Sequence, residues 1–187
     1  MTSGHSDVQI SHPVFMADRA RHRLISHVAR GNDHVPLIEK GTPSTAVLMD
    51  PGAYISSSWY PADPKRDSAP TWAFRVVHFH GALRVMTPAQ TAQHLHDLVR
   101  HMEKGRPVPW RMGELGPGGL ERRLPNILGY ELLIDRVEVR FKLGQDERPS
   151  DMSAAASQLR ATDQPSLARL ADRIQAACAL PDNRKDQ

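Results

Sequence analysis

The sequence predicts a mostly β protein of the α+β class, a barrel of short strands carrying peripheral and C-terminal helices. Three observations predict it. Fifteen prolines and twelve glycines in 187 residues supply more turns than a helical bundle uses. Residues 71–86 alternate with a period of two, which puts Trp72, Phe74, Val76, His78 and His80 on one face and Ala73, Arg75, Val77 and Phe79 on the other. Strands dominate, with helical stretches between them and at the C-terminal end. Closure into a barrel removes the exposed edges that so many short strands otherwise leave.

The elements follow in order. Val8, Ile10, Val14 and Phe15 lie in short apolar segments. Residues 24–28 form the next strand, after the charged turn Asp18-Arg19-Ala20-Arg21. Residues 32–40 read as a short helix. Residues 45–49 are a compact apolar run closed by the turn Asp50-Pro51-Gly52, and residues 53–59 continue as a strand. Residues 61–70 are a polar, proline-rich loop. In the long strand that follows, Gly81 marks a bulge or bend.

The clearest helix starts at Thr87. Thr87 is a good N-cap, Pro88 suits the first helical position, and Gln90 completes a capping box. Ala92, Leu95, Leu98, Val99 and Met102 form its apolar stripe, and Gly105 is its stop. After a Pro/Gly-rich connection, residues 120–128 begin as a helix. Residues 130–143 read as two strands or one bent strand. Residues 151–160 and 166–178 are helical, with Leu167, Leu170 and Ile174 as the buried stripe of the second. The last residues, 181–187, are expected to fray. The domain reading is residues 1–150 for the barrel and 151–187 for a helical extension.

Composition limits the function. The formal charge of +3 is far from the concentrated basic stripe of a dedicated nucleic-acid domain. Arg19, Arg21 and Arg23, and Arg122 with Arg123, read as solvated surface. The single cysteine, Cys178, excludes an intrachain disulfide and reads as a packed or free thiol. Residues 1–9 lack the apolar core of a secretory signal, and no stretch reaches the roughly 18 apolar residues of a membrane span. Cytoplasm is the expected compartment.

Four stretches carry a resemblance. They are His27-Val28-Ala29-Arg30-Gly31-Asn32, Ala53-Tyr54-Ile55-Ser56-Ser57-Ser58-Trp59-Tyr60-Pro61, Pro70-Thr71-Trp72-Ala73-Phe74 running into Val77-His78, and Phe141-Lys142-Leu143-Gly144-Gln145. In order and spacing they resemble the PaiB-like FMN-binding negative transcriptional regulators over about residues 8–150. The resemblance implies an FMN-binding split β-barrel, shared with pyridoxamine-phosphate oxidases, that works as a homodimer with flavin in a cleft between subunits. DNA is a partner by the same analogy alone, since no helix-turn-helix signature stands in the chain.

The residue chemistry suits such a ligand. Arg30 offers a planar fork for phosphate oxygens. Asn32 and the backbone amides of the turn after Ala29 offer neutral donors. Tyr54, Trp59, Tyr60 and Trp72 offer aromatic walls, and Ser56, Ser58 and Thr71 hydroxyls. His27 and His78 lie within the matching stretches, and Lys142 and Gln145 would close the cleft from the other subunit. Each has a plainer rival: a surface arginine, a core aromatic (for Trp72 the preferred reading), an ordinary strand hydroxyl, a solvated lysine. The chain departs from the family pattern at Asp33, where a proline is usual, and at Ala73, where an asparagine is usual. It departs again at Val139, Arg140, Phe141, Gly144 and Asp146. The helix that normally precedes the first strand is not expected here.

Ten histidines are many for this length. His78 and His80 share a face, with no third His or Cys paired with them. His94, His96 and His101 are expected to be exposed on the helix. His27 is the candidate axial ligand if the cofactor is haem b, since the stretch from His27 to Asn32 also resembles, more distantly, one in the haem-dependent piperazate synthases, whereas the Ser-Trp-Tyr-Pro and Val-His segments look more like the regulators. A flavin- or haem-dependent oxidoreductase on this barrel, or an N–N bond-forming enzyme, is therefore the alternative. A barrel acting only through protein contacts is a third reading. No acid–base pair stands out, so no catalytic residue is assigned.

Overall fold

A computed structural model describes residues 2, 3, 8–62 and 67–179. The expected fraying of residues 181–187 and part of the 61–70 loop lie outside these. Among the described residues eight strands form: β1 Thr2–Ser3, β2 Val8–Gln9, β3 Met16–Asp18, β4 Arg23–Ala29, β5 Pro43–Met49, β6 Ala53–Ile55, β7 Thr71–Val85 and β8 Ile127–Lys142. Four α-helices accompany them: α1 Val35–Glu39, α2 Pro88–Met102, α3 Pro149–Arg160 and α4 Pro165–Cys178. The strand order is β2-β1-β5-β7-β8-β4-β3, with β6 paired to β7 off this path. Among the described residues no helix is long and apolar enough to cross a membrane.

The chain divides into two compact units, residues 1–47 with 78–138 and residues 48–77 with 139–187. In the first unit β4 lies antiparallel to β8, Arg23 opposite Leu133 and Ala29 opposite Ile127. Leu24, Ser26 and Val28 point into the core while Arg23, Ile25 and His27 take the other face. Leu128 through Leu132 are buried without alternation, as expected of a strand covered on both sides. The core joins Leu24, Val28, Ile38, Ala46, Leu83, Leu128, Tyr130 and Leu132. Helix α2 begins as its sequence predicts: Thr87 Oγ1 accepts from the Gln90 amide, and Gln90 Oε1 accepts from the Thr87 amide.

In the second unit α3 and α4 pack together over Ala53, Ile55, Tyr60, Ala73 and Leu143. Ala155, Ala156 and Ala171 are fully buried between them. Alanines there let the helices approach closely.

Several expectations change. The strand from Ala53 ends at Ile55, not Trp59. The Ser56 hydroxyl accepts from the Ser58 amide and starts a 3₁₀ turn over Ser57–Trp59, the local competition that serine offers a strand. Residues 117–123 are turns rather than a helix, and a 3₁₀ turn at Leu124–Asn126 leads into β8. Residues 130–142 belong to one long strand, β8, which ends at Lys142. Trp72 is not core. It is 51% exposed, and Ala73 takes the inward position in the same apolar cluster as Ala155 and Ala156. His94 is buried rather than exposed, because α2 turns it inward beside Thr91 and Leu95 and a partner imidazole satisfies it. Arg23 is not solvated surface: it pairs with Asp18 and with the buried Glu131.

Candidate functional site

In the first unit the site begins where β4 ends. The Arg30 amide donates to Asn126 O (2.9 Å) and the Asn32 amide to Ala29 O (2.9 Å), closing a tight turn. Asn32 Oδ1 accepts from the His34 amide (2.9 Å) and from Ser11 Oγ (3.2 Å), which steers the chain into α1. Two of the amides expected to meet a phosphate, and the Asn32 carbonyl, are therefore engaged within the turn. The Arg30 guanidinium is not: it is half exposed and, among the described residues, meets only the half-exposed Glu39, at 3.4 Å. Such surface pairs contribute little and exchange readily.

Beside Arg30 opens a pocket of about 270 Å³. Met86, Pro88, Leu124, Pro125 and Ile127 give it apolar walls, and Thr91 and Glu121 polar ones. At this volume it falls below the roughly 300–1,000 Å³ of a complete ligand site, so it has room for only part of a large ligand.

His27 and His94 form a pair in the same unit. Nδ1 of His27 lies 3.2 Å from Nε2 of His94, with the rings edge to face. Burial pushes His27 below its ordinary value. Burial, with His27 beside it, pushes His94 down to about 4. Both rings are neutral near pH 7, and His94 also lines a cleft of about 650 Å³ with Arg19, Arg21 and Gln90.

In the second unit Thr71 and Lys142 line one pocket of about 260 Å³, with Ile55, Ala73, Asp146 and Met152. Gln145 is exposed, but its amide clamps its own turn: Nε2 donates to Phe141 O (2.7 Å) and Oε1 accepts from the Leu143 amide (2.8 Å). The hydroxyls of Ser56 and Ser58 lie 2.8 Å apart and satisfy each other. Tyr54 stands opposite Trp72 across the β6–β7 ladder, and both are half exposed. Trp59 packs on the apolar core. Tyr60 is fully buried, its hydroxyl without a partner among the described residues; burial and the carboxylates of Glu147 and Asp151 push it up.

The predicted residues thus form two groups. His27, Ala29, Arg30, Asn32 and His78 stand in the first unit; Tyr54, Ser56, Ser58, Trp59, Thr71, Trp72, Lys142 and Gln145 in the second. His94 was missed. A histidine at the position preceding Leu95 on the apolar stripe was the available signal, since an imidazole there must find a partner to be buried.

Comparison with known proteins adds four findings. A family model described as "Putative FMN-binding domain" matches residues 1–136. The chain is 28% identical over 149 residues to the Bacillus subtilis protein "Protease synthase and sporulation protein PAI 2", covering 80% of this chain and 70% of that protein. It is 37% identical over 70 residues to an uncharacterized protein of Saccharomyces cerevisiae, covering 37% of this chain and 41% of that one. Among solved structures it is similar to the FAD and heme binding protein from Mycobacterium smegmatis. The TM-score is 0.50 at 17% identity, over 72% of this chain and 62% of that one. That likeness shows the split-barrel fold; this chain spans about three-fifths of that structure's length.

Proposed function

We propose that this chain, which belongs to the family described as "Putative FMN-binding domain", is a PaiB-type split-barrel protein that holds flavin mononucleotide in a cleft completed by a second copy of itself. The observation that carries the reading is the placement of Arg30. Among the described residues its guanidinium is held by one weak surface carboxylate, and it borders an apolar-walled pocket too small for a whole flavin. A phosphate oxygen pair matches the arginine fork, and displacing Glu39 at half exposure costs little. The residues present therefore fit the phosphate end of FMN.

Lys142 and Thr71, on a second partial pocket, supply a cation and a hydroxyl for the other face of the flavin when contributed by the partner copy. Leu48, Met49, Tyr54, Trp72, Val139 and Phe141 are exposed in the second unit. Large apolar side chains left in solvent support an interface with another copy. Bound FMN supplies the redox chemistry; this chain's residues bind and orient it. The proposed compartment is the cytoplasm.

Haem is the second reading. The His27 imidazole is neutral, desolvated and fixed by His94, which borders a cleft of about 650 Å³. The absorption spectrum of the purified protein separates the two: two broad flavin bands support FMN, and an intense Soret band supports haem with His27 as the first residue to replace. In a fluorescence titration with added FMN, Arg30→Ala is expected to weaken binding at least tenfold. Unchanged affinity would remove Arg30 from the site. A colourless protein that takes up neither cofactor would leave the fold and overturn both readings.

Negative transcriptional regulation is part of the same proposal, through DNA contact. Arg19 and Arg21 are exposed and support it. A gel shift that weakens with salt tests it; no shift at low salt would remove the regulatory claim.

A further inference from the structure

His78 and His80 stand two apart on β7, and the neighbouring strand β8 brings Glu138 to them. One donor atom from each of the three side chains lies within 4.8 Å of the others. His78 Nδ1 is 3.8 Å from Glu138 Oε2, and His80 Nε2 is 3.7 Å from Glu138 Oε1. Both separations are too long for hydrogen bonds. They are close to the edge, about 3.3 Å, of a tetrahedron whose ligands sit 2.0–2.1 Å from zinc. Each imidazole thus faces its own carboxylate oxygen across a gap that suits an ion better than a shared proton.

His80 adds a second, independent observation. Its Nδ1 lies 2.9 Å from Thr45 Oγ1, which fixes the ring. Its Nε2 is sealed from solvent and makes no hydrogen bond among the described residues. A buried ring nitrogen without a partner is costly, and an imidazole held through its far nitrogen is how proteins orient a metal ligand. The whole cluster lies in the first unit.

We propose that His78, His80 and Glu138 bind a divalent first-row transition metal, of the zinc class, with at least one coordination position open. Two imidazoles and a carboxylate favour such a metal over calcium or magnesium, which take oxygen ligands. Three protein ligands leave a position for water or another exchangeable ligand. The side chain that opposes binding is Arg136, whose guanidinium pairs with Glu138. Arg136 is 56% exposed on its side chain, so it can release Glu138 to an incoming cation and turn to solvent.

The test uses the full chain, free of any histidine tag and stripped with a chelator. Zn²⁺ affinity is measured by competition with a chromophoric chelator, and Co²⁺ reports coordination by its visible absorption. One equivalent is expected to bind. His78→Ala, His80→Ala and Glu138→Gln should each weaken binding at least tenfold, and Thr45→Val about tenfold. Arg136→Ala should tighten it, because a competitor for the carboxylate is gone. His101→Ala, an exposed histidine on α2, should change nothing. Circular dichroism of each variant separates lost ligation from lost fold. No uptake by the wild-type chain, or an affinity that His80→Ala and Glu138→Gln leave unmoved, would overturn the site.

Discussion

His27 Nδ1 lies 3.2 Å from His94 Nε2, a contact that joins β4 to α2 through two imidazoles. One ring must donate and the other accept, so at least one stays neutral while the contact lasts. His94 is 4% exposed, and a charge there has little solvent to stabilise it.

Acid should therefore destabilise the fold through this pair. The unfolded chain takes protons on these rings near pH 6.5, whereas folded His94 takes one only near pH 4. Between those values the unfolded state binds more protons, so stability falls as pH falls. The His94 contribution alone is roughly 3 kcal/mol once pH 4 is reached. Thermal melts from pH 7 to pH 4 should show the loss, and His94→Gln should flatten it. Parallel profiles for the two proteins would show that the pair is not responsible.

Arg23 should matter far more than its neighbours in the basic cluster. Glu131 is buried, and Arg23 and Arg84 pair with its two oxygens. Arg84 is mostly exposed, whereas Arg23 is mostly buried and also pairs with Asp18. Removing one partner of a buried ion pair strands a charge at a cost of about 3–5 kcal/mol. Arg23→Ala should lower the unfolding midpoint in urea strongly, and Arg19→Ala hardly at all. A mild Arg23→Ala phenotype, equal to that of Arg84→Ala, would mean that water reaches the carboxylate.

Two glycines should respond differently to alanine. A Cβ on Gly81 would lie 1.9 Å from the Leu133 carbonyl oxygen, so β7 could not keep its approach to β8. A Cβ on Gly144 would meet the flexible end of the buried Met152 side chain rather than backbone, though φ of +75° adds strain of about 1–2 kcal/mol. Gly81→Ala should cost more stability than Gly144→Ala, read as melting temperature. The reverse order would place the tighter contact in the second unit.

The parts legible in sequence were those decided locally. The cap at Thr87 and Gln90, the helix from Pro88 and the strand at Arg23–Ala29 follow from adjacent residues and a single period. What was not legible depends on distant partners. Glu131 lies 108 residues from Arg23, and His94 lies 67 from His27; nothing near either residue in sequence announces the pairing. Trp72 was misplaced for a related reason. Period two names two faces but does not say which is inward, and the alanines of α3 gave the inward place to Ala73. The third member of the His78–His80 cluster was hidden in the same way, since Glu138 comes from another strand.

The exposed pair on the β6–β7 ladder gives the last prediction. Tyr54 and Trp72 are direct cross-strand partners, 52% and 51% exposed. Aromatic residues of this size act as anchors when buried at an interface. If the proposed second copy seats here, Trp72→Glu places a charge in a desolvated contact and should shift the protein from dimer to monomer in light scattering at micromolar concentration. The fold should survive, because the site is solvent-exposed in the single chain. FMN affinity should fall together with dimerisation, since the two partial pockets of about 270 and 260 Å³ would then no longer be completed by a partner. A Trp72→Glu protein that stays dimeric and keeps its FMN would move the interface elsewhere. A monomeric variant with unchanged FMN affinity would show that one copy holds the flavin alone.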